Sequence, residues 1–214
     1  MQKVAGDKRL ARRPESPTEA PSAASDPRSA DSPPPADSPL EGGSHAADGA
    51  NQLLWRLPNW RWRSGPVDPG PTVIFDIDGV LSDAAGRQHF LEWQRRDWDA
   101  FFDACGEDPL VEDVARLLGL LEPTLRIVLL TGRPIRVMPQ TLAWLSHNSI
   151  RWDLLVMRDR GDYARVASFK RRIVEELRKY GMDLLLAFED DPRNRDMFRS
   201  EGVPCIYIHS GYYD

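Results

Sequence analysis

Short, largely apolar runs recur along the chain downstream of residue 66 and predict the strands of a sheet. These runs lie at residues 73–75, 126–130, 154–157, 184–188 and 205–208. They are continuous rather than alternating, as in strands that are buried on both faces of a parallel sheet. Helical patterns occupy the intervals between them. We therefore predict an α/β domain with three layers, in which helices cover both faces of a Rossmann-like parallel sheet.

Four helices are predicted between these strands: residues 108–121, a segment within 135–147, residues 169–180, and a segment around 194–200. The first has Asp108 at the N-cap position and Pro109 at the first helical position, and both residue types are preferred there. Pro123 follows its end. The third helix ends at Gly181, a residue type that is common after the last helical turn.

The first 65 residues have a different composition. Residues 14–51 consist mainly of Pro, Ser, Ala, Asp and Gly and contain almost no aromatic or β-branched residues. Such a segment cannot bury enough apolar area to offset its conformational entropy, so we predict a disordered tail over 1–65 and a folded domain over 66–214. The tail ends in the sequence LLWRLPNWRWR at 53–63. Its alternating Trp and Arg residues suit a docking or base-stacking peptide, or alternatively an edge strand packed on the domain.

Residues 84–107 are the only stretch long enough to form an insert between the first two strands of the core. This stretch contains five aromatic residues, Phe90, Trp93, Trp98, Phe101 and Phe102. We therefore predict a small helical cap packed on the domain rather than a separate lid domain. A small cap leaves room for bulky substrates.

Polar sequences follow the predicted strands. The first strand is followed by DIDGVLSD, the second by TGRP, the third by RDRGD and the fourth by EDDPRN. In open α/β sheets, ligands bind beyond the carboxyl ends of the strands. These sequences are therefore the candidates for the functional site.

Asp76 and Asp78 lie two residues apart at the first strand end. One carboxylate of such a pair can attack phosphorus while the other handles the proton of the leaving group. A divalent cation is then needed to offset the repulsion between a carboxylate and a phosphate dianion, and oxygen-rich sites suit Mg²⁺. The acidic run Glu189, Asp190 and Asp191 can supply further ligands.

Thr131, Gly132 and Lys170 complete this set. The hydroxyl of Thr131 and the amide of Gly132 can bind phosphoryl oxygens, and the ammonium group of Lys170 can neutralise the nucleophile and the phosphoryl group. Each signal alone has an ordinary structural explanation, such as a turn, a helix cap or a solvated lysine. Their order, at successive strand ends, favours the functional interpretation.

Four segments together resemble the motifs of the haloacid dehalogenase superfamily: VIFDIDGVLSD, VLLTGRP, the Lys170 position and LLAFEDD. The resemblance begins at about residue 73 and implies the fold of that superfamily. It also implies a phosphatase in which Asp76 forms an aspartyl-phosphate and Asp78 protonates the leaving group and then activates water. Mg²⁺ would be bound by the Asp76 carboxylate, the Asp78 backbone carbonyl and Asp190. Glu189 stands where many members have Asp, so it remains a candidate ligand.

The segments LLVMRDRGDYARVASFK and FEDDPRNRDMFRSEGVPCIYIHSGYYD are similar to the 3′-phosphatase domain of polynucleotide kinase–phosphatases. This similarity implies that Arg133 and Arg158 bind the substrate phosphate, for which the two parallel donors of a guanidinium are suited. Alternatively, Arg133 caps a turn or pairs with a carboxylate such as Asp83. The sequence contains no GxxxxGK[ST] motif, so we expect a stand-alone phosphatase module without a P-loop kinase.

Charge and hydropathy limit the remaining possibilities. The formal net charge of −5 argues against a globally cationic nucleic-acid binder, so any such binding must be local. No apolar stretch of about 18 residues or secretory signal is found, and we expect a cytoplasmic protein without membrane contact. Cys105 and Cys205 have no metal-ligand spacing. The oligomeric state is left open.

Three functions are compatible with these observations. The first is an enzyme that removes a terminal phosphate from nucleic acid, most readily a 3′-phosphate. The second is a phosphatase that acts on nucleotides or sugar phosphates. The third is a phosphate-binding or scaffolding protein without catalysis. The complete set of Asp76, Asp78, Thr131, Lys170 and Asp190 argues against the third function, because repelling carboxylates have no structural reason to be kept together.

Overall fold

A six-stranded sheet forms the centre of the computed structural model, which describes residues 57–92 and 95–213. The strands are β1 (Trp60–Trp62), β2 (Pro71–Phe75), β3 (Arg126–Pro134), β4 (Leu154–Arg158), β5 (Asp183–Glu189) and β6 (Cys205–Tyr207). Their order in the sheet is β1-β4-β3-β2-β5-β6. All neighbouring pairs are parallel except β1 and β4, which are antiparallel.

Helices connect the parallel strands. They are α1 (Trp98–Asp103), α2 (Glu112–Leu120), α3 (Met138–His147), α4 (Val166–Lys179) and α5 (Pro192–Ser200), with 3₁₀ helices at Ala84–Leu91, Ala104–Gly106 and Ile135–Val137. Among the described residues no helix is both long enough and apolar enough to span a membrane.

The hydrophobic core has two parts. Successive residues of β2 and β3 alternate between them, because neighbouring side chains of a strand point to opposite faces. Ile74 and Val128 belong to a buried cluster that includes Phe169 of α4, whereas Phe75 belongs to a second cluster that includes Leu118 of α2. Helices therefore cover both faces, and the predicted three-layer α/β fold is confirmed.

β1 lies on the tail side of the predicted boundary at residue 65. Its two tryptophans are buried, Trp60 with 5% and Trp62 with 8% of the side chain exposed, and their rings pack on Tyr180 at centroid distances of 6.3 and 5.5 Å. Arg61, between them, is exposed. The edge-strand interpretation is thus confirmed for residues 60–62, and the sheet is mixed rather than parallel. The packed structure includes residues upstream of 66. The predicted tail up to residue 56, including Trp55, lies outside the described residues.

The predicted start of the first helix is wrong. α2 begins at Glu112 instead of near Pro109, and Asp108 does not cap it. The segment before the helix is extended instead, with the amide of Asp83 donating to the carbonyl of Pro109. The Asp108 carboxylate is bound to two buried arginines, which stabilise it more strongly than a single helix amide can.

The insert between β2 and α2 is small and helical. It consists of the 3₁₀ helix Ala84–Leu91, α1 and the 3₁₀ helix Ala104–Gly106. Phe101 is buried, and Trp98 and Phe102 contact it in T-shaped geometry at centroid distances of 5.7 and 5.3 Å. Trp93 lies outside the described residues.

Candidate active site

The functional candidates meet at the carboxyl ends of the central strands. Asp76 follows β2, which lies between β3 and β5. Thr131 and Gly132 belong to β3, and Glu189 is the last residue of β5. The parallel pairing brings these ends together, as predicted from their positions after the strands.

Lys170 forms the buried centre of the site. Its ammonium group lies 2.8 Å from Oδ2 of Asp76 and 2.6 Å from Oε2 of Glu189, and the side chain is fully buried. Burial lowers the pKa of Lys170, but the two carboxylates outweigh this effect and hold it above its ordinary value. The lysine is therefore charged at neutral pH.

Asp76 is negatively charged only at an energetic cost. Burial raises the pKa of its carboxyl group well above the ordinary value, and repulsion from Glu189 raises it further, while Lys170 lowers it. Oδ1 accepts a hydrogen bond of 2.7 Å from the amide of Ile77. One buried lysine thus serves two buried carboxylates, and the site is short of positive charge.

The three acidic residues at 189–191 have different environments. Both oxygens of Glu189 are engaged, Oε2 by Lys170 and Oε1 by the amide of Asp191 and the side chain of Asn194. Asp191 caps α5 and forms a bidentate pair with Arg193. Asp190 is 2% exposed, and its Oδ2 is buried without a hydrogen-bond partner among the described residues.

These observations fit a divalent cation beside Asp76 and Asp190. Oxygen atoms of Asp76, Glu189 and Asp190 lie within 4.8 Å of one another. Burial, together with the charge of Asp76, raises the pKa of Asp190 to about 7. Gly79 leaves the space open, since a Cβ there would lie 1.9 Å from Oδ2 of Asp190 and its φ is +76°. A hard cation would neutralise this oxygen cluster, and oxygen donors suit Mg²⁺.

Asp78 is held by two arginines. Nη2 of Arg87 lies 2.5 Å and Nη2 of Arg133 2.6 Å from its Oδ1. Asp108 lies behind them and binds both guanidinium groups, at 2.7 and 3.2 Å. Burial raises the pKa of Asp78, but the arginines outweigh it and lower the value overall. The side chain is 22% exposed, so one oxygen is fixed while the group still reaches the open site.

Arg133 does not present a free donor for phosphate. Its guanidinium is fully buried, and Nε and Nη2 donate to Asp78, Nη1 to Thr141, and Nη2 also to Ser82. The alternative interpretation, pairing with a carboxylate, describes this position. The partners are Asp78 and Asp108 rather than Asp83, which caps the 3₁₀ helix Ala84–Leu91.

Arg158, at the end of β4, is only half-buried. Its Nη2 donates to the carbonyl of Ala164, and its Nε is buried without an acceptor in the described part of the chain. No carboxylate of the described residues forms a salt bridge with it. Thr131 is buried, and its Oγ1 accepts a hydrogen bond of 3.2 Å from the amide of Arg133.

Several residues of the site were missed by sequence reasoning. Arg87 has no pattern around it that predicts a buried arginine, and Asp108 was interpreted as a helix cap. The segment after β6 also reaches the site: the Cβ of Ser210 lies 3.0 Å from where a Cβ on Gly79 would lie, and the guanidinium of Arg193 lies 5.6 Å from the ring centroid of Tyr213. Only the three-dimensional contacts reveal these roles.

Comparison with known proteins gives a family model and similar solved structures. The family model described as "Polynucleotide kinase PNKP phosphatase domain" matches residues 70–213. The structure is similar to one titled "Structure of Pnkp1/Rnl/Hen1 complex", with 26% identity over 67% of this chain and 47% of that chain and a TM-score of 0.54. It is also similar to one titled "Structure of the Pnkp1/Rnl/Hen1 RNA repair complex", with 25% identity, coverage of 69% and 45%, and a TM-score of 0.56.

The match covers slightly less than half the length of each of these two solved chains. No curated protein matches it.

Proposed function

This chain belongs to the polynucleotide kinase phosphatase-domain family of the haloacid dehalogenase superfamily, and from that membership we propose that it is a Mg²⁺-dependent phosphomonoesterase acting on 3′-phosphate ends of nucleic acid. The observation that carries the proposal is the buried set of Asp76, Lys170 and Asp190 beside the partly exposed Asp78. It combines a nucleophile, a charge partner, a cation ligand and a proton-transfer group.

In the first step a carboxylate oxygen of Asp76 attacks phosphorus, the bond from phosphorus to the ester oxygen breaks, and an aspartyl-phosphate forms. Lys170 holds the nucleophile in place at 2.8 Å and keeps its charge balanced. In the second step the oxygen of a water molecule attacks phosphorus, and the bond to Asp76 breaks to release inorganic phosphate.

Asp78 moves the proton in both steps. Its Oδ1 is fixed by Arg87 and Arg133, so its second oxygen gives a proton to the leaving ester oxygen and later takes one from the attacking water. In the free protein the lowered pKa favours the ionised form. The negative charge of a bound phosphate raises the pKa of Asp78, so that the carboxyl group carries a proton when substrate is present.

Mg²⁺, bound by the Asp76 carboxylate, Asp190 and the backbone carbonyl of Asp78, would supply the charge that offsets repulsion between carboxylate and phosphate. Asp190 is assigned here because its Oδ2 has no other partner among the described residues. Glu189 is committed to Lys170 and Asn194 and is therefore proposed to hold the lysine rather than the metal.

The phosphate itself is proposed to contact Thr131, Gly132 and Arg158. Arg158 has a guanidinium nitrogen without an acceptor, whereas every guanidinium nitrogen of Arg133 is engaged. Arg133 is thus proposed to position Asp78 instead of binding substrate. A 3′-phosphate end is the favoured substrate because of the family and because the insert over the strand ends is small.

The test compares a 3′-phosphorylated oligonucleotide, a 5′-phosphorylated one and an aryl phosphate, each with Mg²⁺ and with excess chelator. We expect phosphate release that requires Mg²⁺ and is fastest with the 3′-phosphate, and no turnover by Asp76→Asn. The exposed Asp68 provides the matched control, since Asp68→Asn should retain full activity. Activity in chelator would exclude the metal, and equal rates with aryl phosphate and oligonucleotide would favour a small-molecule phosphatase.

A further inference from the structure

The segment that follows β6 lies against the proposed catalytic residues. The side chain of Ser210 packs against Gly79, with its Cβ 3.0 Å from where a Gly79 Cβ would lie, and Oδ2 of Asp190 borders the same position. The hydroxyl of Tyr212 donates to Oδ1 of Asp83, at the start of the insert. Two anchors therefore hold residues 209–213 across the edge of the site.

Tyr213 lies at the rim of the site in this segment. It follows Tyr212 directly, and its ring lies against the guanidinium of Arg193, which is paired with Asp191 in the acidic run at 189–191. The ring is nevertheless 43% exposed. It is therefore an accessible aromatic surface next to the acidic run of the proposed site.

Arg193 supports the ring from one side. Its guanidinium lies 5.6 Å from the Tyr213 ring centroid and is bound to Asp191 by contacts of 2.9 Å from Nε and 2.7 Å from Nη2. The same carboxylate caps α5 by accepting from the amide of Arg193. The pair with Asp191 therefore holds the guanidinium of Arg193 beside the Tyr213 ring.

We propose that Tyr213, supported by Arg193, stacks on the base of the terminal nucleotide whose phosphate reacts at Asp76. This inference rests on the proposed phosphatase function and makes the base part of the recognised substrate. A flat, partly exposed aromatic ring stacks on any base, because every base has a π face. The contact would select nucleotides over other phosphate esters without selecting a base sequence.

Two other tyrosines do not meet these conditions. Tyr163 is 94% exposed and has no ring partner in the described ranges. The ring of Tyr207 lies 5.4 Å from the guanidinium of Arg195, which belongs to α5 like Arg193. Tyr207 itself, however, lies within β6 and not in the segment that crosses the site. Tyr207 thus provides a matched control with the same chemistry.

The experiment uses two oligonucleotides with a 3′-phosphate that differ only in the last nucleotide, which carries a base in one and is abasic in the other. Charge, sugar and phosphate are the same in both. We expect the wild-type full-length protein to favour the base-bearing substrate in kcat/KM by roughly five- to hundredfold, the range of a single base–aromatic stack. Tyr213→Ala should remove this preference by raising KM for the base-bearing substrate alone, while Tyr213→Phe and Tyr207→Ala should retain it.

Each contrary result has a definite meaning. The stacking role is overturned if the preference for the base-bearing substrate survives in Tyr213→Ala, or if the wild type shows no such preference. The proposed phosphatase function still holds in either case, provided that both oligonucleotides are hydrolysed. If Tyr213→Ala loses the same factor in kcat/KM with both substrates, Tyr213 supports the catalytic residues instead, and the stacking role is again overturned. If the wild type hydrolyses neither oligonucleotide, the aryl phosphate decides whether the phosphatase function itself fails.

Discussion

The carboxyl group of Asp190 is unfavourably placed in the folded protein without a cation. It is 2% exposed, its Oδ2 has no hydrogen-bond partner in the described part of the chain, and Asp76 lies close to it. Folding therefore raises its pKa from 3.8 to about 7. Between these two values the folded protein holds a proton that the unfolded chain has already released.

This shift predicts how the metal-free protein responds to pH. The contribution of Asp190 to stability is present below pH 3.8 and is lost as pH rises through about 7. In chelator at pH 7.5, Asp190→Asn should therefore be more stable than the wild type by about 1–3 kcal/mol, while its hydrolytic activity is lost. Urea unfolding at pH 5 and 7.5, with and without Mg²⁺, measures the difference.

Comparison of the wild type with Asp190→Asn separates the effect of Asp190 on stability from the effects of the other carboxyl groups. Saturating Mg²⁺ should stabilise the wild type more than the Asn variant, because a ligand that binds the folded state alone shifts the folding equilibrium. A variant that is less stable than the wild type in chelator at pH 7.5 would contradict the picture of an uncompensated buried carboxylate.

At the scale of elements, β1 shows how three residues extend the domain beyond its predicted start. Trp60 and Trp62 face the core and Arg61 faces solvent, which is the alternation of a strand with one buried face. The strand pairs with β4, whose other edge is already occupied by β3. It closes that side of the sheet and buries two large aromatic rings.

Substitutions within β1 test its contribution. Trp60→Ala should lower the free energy of unfolding by about 3–5 kcal/mol, as expected for removal of a buried aromatic side chain. Arg61→Ala, in the same strand but exposed, should change it by less than about 0.5 kcal/mol. Equal effects of the two substitutions would exclude β1 as a packed strand.

Deletion of residues 1–50 should leave aryl phosphate hydrolysis within about twofold, since the composition of that segment predicts no stable packing.

At the scale of the whole molecule, the net charge of −5 requires that contact with a nucleic acid strand be local. β1 runs antiparallel to β4, so Arg63 lies beside Asp153, at the end of the sheet away from Arg158. The loop between β4 and α4, on the site side, carries two exposed arginines, Arg160 and Arg165.

This arrangement predicts which arginines affect the oligonucleotide reaction. The double variant Arg160→Ala/Arg165→Ala should lower kcat/KM for the 3′-phosphorylated oligonucleotide and reduce its salt slope by about 0.7 for each strand phosphate that these arginines neutralise. Hydrolysis of aryl phosphate should be unaffected, because it has no strand to bind. Arg61→Ala/Arg63→Ala makes the same change in charge at the distant end and should leave both reactions unchanged. The opposite result would indicate that the nucleic acid binds across β1.

The amino-acid sequence by itself determined the layers of the fold and the convergence of Asp76, Thr131 and Asp190, whereas Lys170, which lies on a helix, was grouped with them through the family resemblance. Continuous apolar runs predict parallel strands, and the carboxyl ends of such strands must meet, so residues that follow them can be grouped without coordinates. The tryptophan–arginine alternation of β1 left both an edge strand and a free peptide open. Only the structure decided between them, because it shows that β4 has an edge to which β1 pairs.

Only the tertiary structure decided the partners of the charged groups. Arg87 lies in the 3₁₀ helix Ala84–Leu91 and Asp108 in the segment before α2, and nothing in their local sequence shows that both are buried around Asp78. Arg133, Glu189 and Asp190 are likewise distinguished by which of their polar atoms already have partners. The physical reason is that burial and hydrogen bonding depend on side chains distant in sequence, whereas the periodicity of strands and helices is a local property.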